Sequence, residues 1–177
     1  MYRRPFFVGL RVVFTFCAAV TGLGGCSAGK AQSLGTFDVQ ATRLSACADE
    51  GLLSLPESYS LTVMLRRVGE DGLEWRDGAV GLLYGTVKED GAMRCDQFLQ
   101  SDMRNGDTSQ PTCLLTRTLQ VEGALEGPAA EPDGFSATLR YNYAAAQGSN
   151  CEDLSSADGI GAALPCSIEV ELLATRR

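Results

Sequence analysis

Leu119-Gln120-Val121-Glu122-Gly123-Ala124-Leu125-Glu126 is the stretch whose reading decides the fold. Its large apolar side chains, Leu119, Val121 and Leu125, alternate with Gln120, Glu122 and Glu126. A side-chain period of two sends these sets to opposite faces of a strand, one toward a core and one toward water. The pattern recurs along the chain. Phe37, Val39 and Ala41 alternate with Asp38, Gln40 and Thr42. Phe135, Ala137, Leu139, Tyr141 and Tyr143 alternate with Ser136, Thr138, Arg140 and Asn142, and Ile168, Val170 and Leu172 with Glu169 and Glu171. Shorter runs carry Leu61, Val63 and Leu65, then Leu73 and Trp75, then Val80, Leu82 and Tyr84, then Met93, Cys95 and Gln97. Asp-Gly pairs at 71, 77, 90 and 133 separate neighbouring runs and mark tight reversals.

The spacing predicts an all-β domain of about eight antiparallel strands in meander order. An up-and-down barrel of the lipocalin or avidin kind closes such strands without leaving an edge. A two-sheet β-sandwich uses the same pattern and is the alternative. No segment of residues 34–177 sustains a helical period, so they read as a single all-β domain.

The first residues obey a different logic. Arg3 and Arg4 precede an apolar run from Val12 to Val20, and small residues lead to Leu23-Gly24-Gly25-Cys26. A cationic head, a short apolar middle and a small-residue exit make a secretory signal peptide, here residues 1–25. Arg11 interrupts the apolar stretch and leaves it well short of the ~20 residues needed to span a bilayer. Leu-Gly-Gly before Cys26 resembles the lipobox of bacterial lipoproteins, which implies acylation of Cys26 and attachment to a membrane by lipid. Arg3-Arg4-Pro5-Phe6-Phe7 resembles the twin-arginine export signal, and an arginine pair is equally ordinary in a Sec signal. Residues 26–33 read as a flexible tether. Ser27 in place of an aspartate points to the outer membrane.

Charge narrows the partners. All 22 acidic residues lie beyond the signal but only 12 of the 15 basic ones, leaving a net charge of −10. Such a body repels nucleic acid and anionic lipid surfaces. The chain has no histidine, which removes the commonest general base and zinc ligand. No cofactor is implied, and the plainest functional reading is non-enzymatic; a hydrolase built on loop carboxylates is the enzymatic alternative. Asp102, Asn105 and Asp107 on one loop and Glu152, Asp153 and Asp158 on another lack EF-hand spacing and read as solvated loops rather than a calcium site.

Five cysteines follow Cys26. In a meander whose first strand, 35–47, runs upward, Cys47, Cys113, Cys151 and Cys166 all reach one rim, and Cys95 alone lies inside a strand near the other end. An oxidising compartment favours disulfides among the four and leaves Cys95 a free, inert thiol. Closing the loop between adjacent strands favours Cys151–Cys166 with Cys47–Cys113; Cys47–Cys166 with Cys113–Cys151 is the alternative if the barrel closes.

Gly35-Thr36-Phe37, Cys113-Leu114-Leu115-Thr116-Arg117, Phe135-Ser136-Ala137-Thr138-Leu139, Cys151 and Leu164-Pro165-Cys166 resemble a group of uncharacterised lipoproteins of the myxobacterial, deltaproteobacterial kind. The resemblance implies that the four rim cysteines belong to the group's pattern and Cys95 does not. It implies no activity.

The long connections, 48–58, 101–112 and 147–165, gather at the cysteine rim, and long loops on a rigid scaffold are where binding sites sit. Strand parity carries Arg43 onto the face of Phe37, Val39 and Ala41, and Arg117 onto that of Leu119 and Val121. Both should point inward at one level near the rim, with Tyr141 and Tyr143 on the inward face beside them. Inward guanidinium groups need carboxylates, carbonyls or an anionic ligand. The reading is an envelope protein that binds a small ligand or another envelope protein at this rim, or a structural protein with a filled core.

Overall fold

The computed structural model describes residues 31–48, 53–78, 80–104, 111–154 and 163–177. The signal peptide, Cys26, Asn105, Asp107 and Asp158 lie outside them. Eight strands follow one another: β1 (Gln32–Arg43), β2 (Ser58–Val68), β3 (Gly72–Asp77), β4 (Leu82–Val87), β5 (Ala92–Asp102), β6 (Leu114–Glu126), β7 (Gly134–Ala145) and β8 (Cys166–Arg176). Each pairs antiparallel with the next, and β8 pairs with β1, closing the barrel. Closure excludes the sandwich.

Four boundaries and assignments differ from the sequence reading. Gln32 and Ser33, assigned to the tether, pair with Arg67 and Arg66, and a bulge at Leu34 tips its side chain into the barrel, where it is fully buried. β1 ends at Arg43 rather than 47, because the next amides turn away to the carbonyl of Glu169. On β4 the inward residues are Leu83 and Val87, and Tyr84 is 63% exposed. The Asp77 carboxylate accepts hydrogen bonds from the amides of Val80 and Gly81, so Val80 is spent in the turn and the strand starts two residues later with the opposite parity.

The disulfides are the fourth correction. They join Cys47 to Cys166 and Cys113 to Cys151, with Cα separations of 5.6 and 5.0 Å. Closure decides this. Because β1 and β8 are hydrogen-bonded neighbours, Cys47 and Cys166 emerge side by side, and the β6–β7 pair does the same for Cys113 and Cys151. Cys95 is free and buried.

Partners followed once round the barrel run from Gln32 through Arg67, Leu73, Gly85, Cys95, Val121, Leu139 and Val170 back to β1 at Arg43. With Leu34 discounted this is a stagger of ten residues, which goes with strands tilted by roughly 40°. The lower interior is apolar and filled. Phe135 meets Phe37 and Trp75 edge-on, with ring centroids 5.4 and 5.3 Å apart. All three rings are fully buried among Leu65, Leu73, Leu83 and Leu172.

The β3–β4 hairpin is short. β2 pairs with β3 only from Val63 onward, and β5 pairs with β4 only from Ala92's neighbour Met93 up to Asp96. Above the hairpin, Ser58–Thr62 of β2 and Phe98–Asp102 of β5 flank a notch in the wall that no described strand fills.

Candidate functional site

The two ends of the barrel are built differently. At the lower end the Arg67 guanidinium donates to the carbonyl of Ala129 and that of Arg176 to Pro132 and Leu34. These bonds tie the β6–β7 turn across the opening, above the buried Leu34. The upper end is the mouth, ringed by the two disulfides and the long loops.

Parity places Arg43, Tyr59, Arg117, Tyr141 and Tyr143 on the inward face of the upper wall. The stagger sets their heights. A hydrogen-bonded row from Arg43 passes through Val170 and Leu139 to Val121, dropping across three strands by about four residue steps. Arg117 stands four residues above Val121 on β6. The two arginines therefore share one level, on walls separated by β7 and β8.

They have different partners. Arg43 donates to the carbonyl of Leu55, at 2.5 Å, and so clamps the loop between β1 and β2 across the mouth. Leu55 packs on the main core, and Leu53 is buried with Cys113, Leu115 and Cys151 in a second, smaller cluster beneath the disulfide loops. Arg117 lies over the Tyr141 ring, 6.0 Å from its centroid, with the Tyr143 hydroxyl close by. Tyr141 and Tyr143 stack with centroids 6.3 Å apart. Burial pushes the hydroxyl pKa of all three mouth tyrosines up: Tyr59 with help from Asp77, Tyr141 with help from Tyr59, Tyr143 and Asp77 against the charge of Arg117, and Tyr143 against the charge of Arg117. They stay neutral phenols able to donate and accept. No anion site joins the two arginines, since Arg43 is taken by the Leu55 carbonyl.

Beside Arg117 is a cavity of about 300 Å³, lined by Leu53, Leu99, Ser101, Met103, Leu115 and Tyr143 with the guanidinium itself. Leu99 and Ser101 lie on the upper part of β5, which pairs with β6 but not with β4, so the cavity stands beside the notch. Leu53, Met103 and the notch carried no signal in the sequence, because each depends on loops folding back over the barrel.

The loop acids are engaged otherwise. Asp102 accepts the Arg104 amide, and Asp153 accepts the Arg104 guanidinium at 2.7 Å, tying the β5–β6 loop to the β7–β8 loop. The guanidinium holds the Asp153 carboxyl below the usual range. No group of three potential metal ligands occurs among the described residues. Cys95 sits in the main core, its thiol pushed up to about 12 by burial and then by Asp96. No family model, curated protein or solved structure matches the chain.

Proposed function

We propose that the chain is a non-enzymatic cell-envelope lipoprotein, exported by its signal peptide, acylated at Cys26 and held at the outer membrane, that binds a ligand at the cysteine-bearing mouth. The observation that supports binding is the contrast between a sealed, apolar lower end and a stapled mouth with an inward arginine, inward phenols and an adjoining cavity. Such sites join an apolar lining to a few oriented polar groups. A second reading, a protein-interaction role on the outer wall, draws on Tyr84 and Phe98, which are 63% and 64% exposed on neighbouring strands.

Anchoring is tested by Cys26→Ser. The variant should leave the membrane fraction, because lipid supplies the attachment and the acidic body adds none. Sedimentation with membranes in high salt would remove the lipoprotein reading. Native mass spectrometry of the protein from its own envelope should show a small molecule bound to the chain. A bare chain together with a co-isolated protein seated on Tyr84 and Phe98 would replace the mouth with the outer wall.

A further inference from the structure

The arginines of the described residues sort by partner. Arg66, Arg76, Arg94, Arg104, Arg140 and Arg177 each pair with a carboxylate. Arg43, Arg67 and Arg176 each donate to a backbone carbonyl. Arg117 has neither and rests on tyrosines alone. In a chain so rich in acid, a half-buried guanidinium with no carboxylate partner among the described residues is able to take an anionic ligand.

We propose that the Arg117 cavity binds a small organic carboxylate with an aliphatic or single-ring body, taken from the aqueous side of the envelope. The proposal rests on reading the mouth as the binding site and names its ligand. A guanidinium offers a planar pair of donors that fits a carboxylate, and the neutral hydroxyl of Tyr143 adds a third polar contact. Leu53, Leu99, Met103 and Leu115 receive the body. A volume of about 300 Å³ is at the lower end of ligand pockets, enough for one ring or a short chain and too small for a diacyl lipid.

The fold supplies the direction of entry. β1 begins at the sealed end, so the described chain starts on the side away from the mouth, and the proposed anchor precedes it in sequence. A strand of 12 residues tilted by roughly 40° raises the mouth ~30 Å above that end. On the proposed anchoring a bilayer lies nearer the sealed end, and the notch between β2 and β5 is in the upper wall.

Calorimetric titration of the purified full chain carrying Cys26→Ser with benzoate, benzyl alcohol and inorganic phosphate tests the assignment. Benzoate should bind at least tenfold more tightly than either, because only it joins a carboxylate to an apolar body. Arg117→Met should weaken benzoate at least tenfold, and Arg117→Lys should restore part of the loss, with the far-ultraviolet spectrum of the barrel unchanged. If Arg117→Met does not fold, Tyr143→Phe replaces it, with an expected loss of about threefold. Phosphate binding as tightly as benzoate, or benzoate binding unchanged in the variant used, overturns the proposal. A neutral molecule released from the native protein would overturn the carboxylate while sparing the mouth as a binding site. A ligand-free native chain that ignores all three probes would remove both.

Discussion

The two ends of this barrel are made by the same strands, and they differ because the inward residues change character along each strand. On β1 the inward series is Phe37, Val39, Ala41, Arg43; on β6 it is Leu125, Gly123, Val121, Leu119, Arg117; on β7 it is Phe135, Ala137, Leu139, Tyr141, Tyr143. The apolar members interlock around Trp75 and leave the lower end filled. The last one or two members are long polar side chains that stack as Arg117, Tyr141 and Tyr143 but leave a cavity beside them, so the upper end depends on loops, Arg43 and disulfides for its shape. On the proposed reading, close packing is the business of one end and recognition that of the other, as buried cores and loop-borne sites commonly divide.

Removing the Cys47–Cys166 bridge with Cys47→Ser and Cys166→Ser should have the largest effect. By chain entropy a link spanning 119 residues stabilises by up to ~5 kcal/mol, and the bridge spanning 38 residues by up to ~4 kcal/mol. Denaturant melts should show the loss, and hydrogen exchange in native buffer should show it first at the mouth, with the amides around Trp75 still protected. Equal loss of protection at both ends would break the division.

Phe135→Ala acts at the filled end. Deleting a fully buried ring that touches both Phe37 and Trp75 should cost ~3–5 kcal/mol, with the disulfides intact. Benzoate affinity measured well below the midpoint of unfolding should stay within about twofold. A large fall in affinity would couple the ends and sharpen the comparison into a mechanical one.

The smallest effect is a pH dependence. Cys95 has its pKa raised in the fold to about 12, against ~8.5 for a free thiol, so its contribution is complete below pH ~8.5 and declines as pH rises toward the folded value. The mouth tyrosines shift in the same direction from a higher start, ~10. Stability measured by urea between pH 7 and 10 should therefore fall on the alkaline side, and Cys95→Ala should flatten the first part of that fall. Iodoacetamide at pH 8 should leave native Cys95 unmodified. Rapid modification of the folded protein would show that the filled end opens.

Alternation alone was enough to read an all-β meander of eight strands, the inward parity of Arg43, Arg117, Tyr141 and Tyr143, and the four cysteines at one rim, because side-chain direction in a strand is a local property with a period of two. It failed at Val80-Gly81-Leu82-Leu83-Tyr84, where consecutive apolar residues fit either parity and the Asp77 carboxylate chose between them by holding the turn. The disulfide partners, the clamp of Arg43 on Leu55, the notch above the β3–β4 hairpin and the isolation of Arg117 were decided only in three dimensions. Each depends on which distant strands meet when the barrel closes and on the ten-residue stagger with which they meet, and neither quantity is carried by any single strand's pattern.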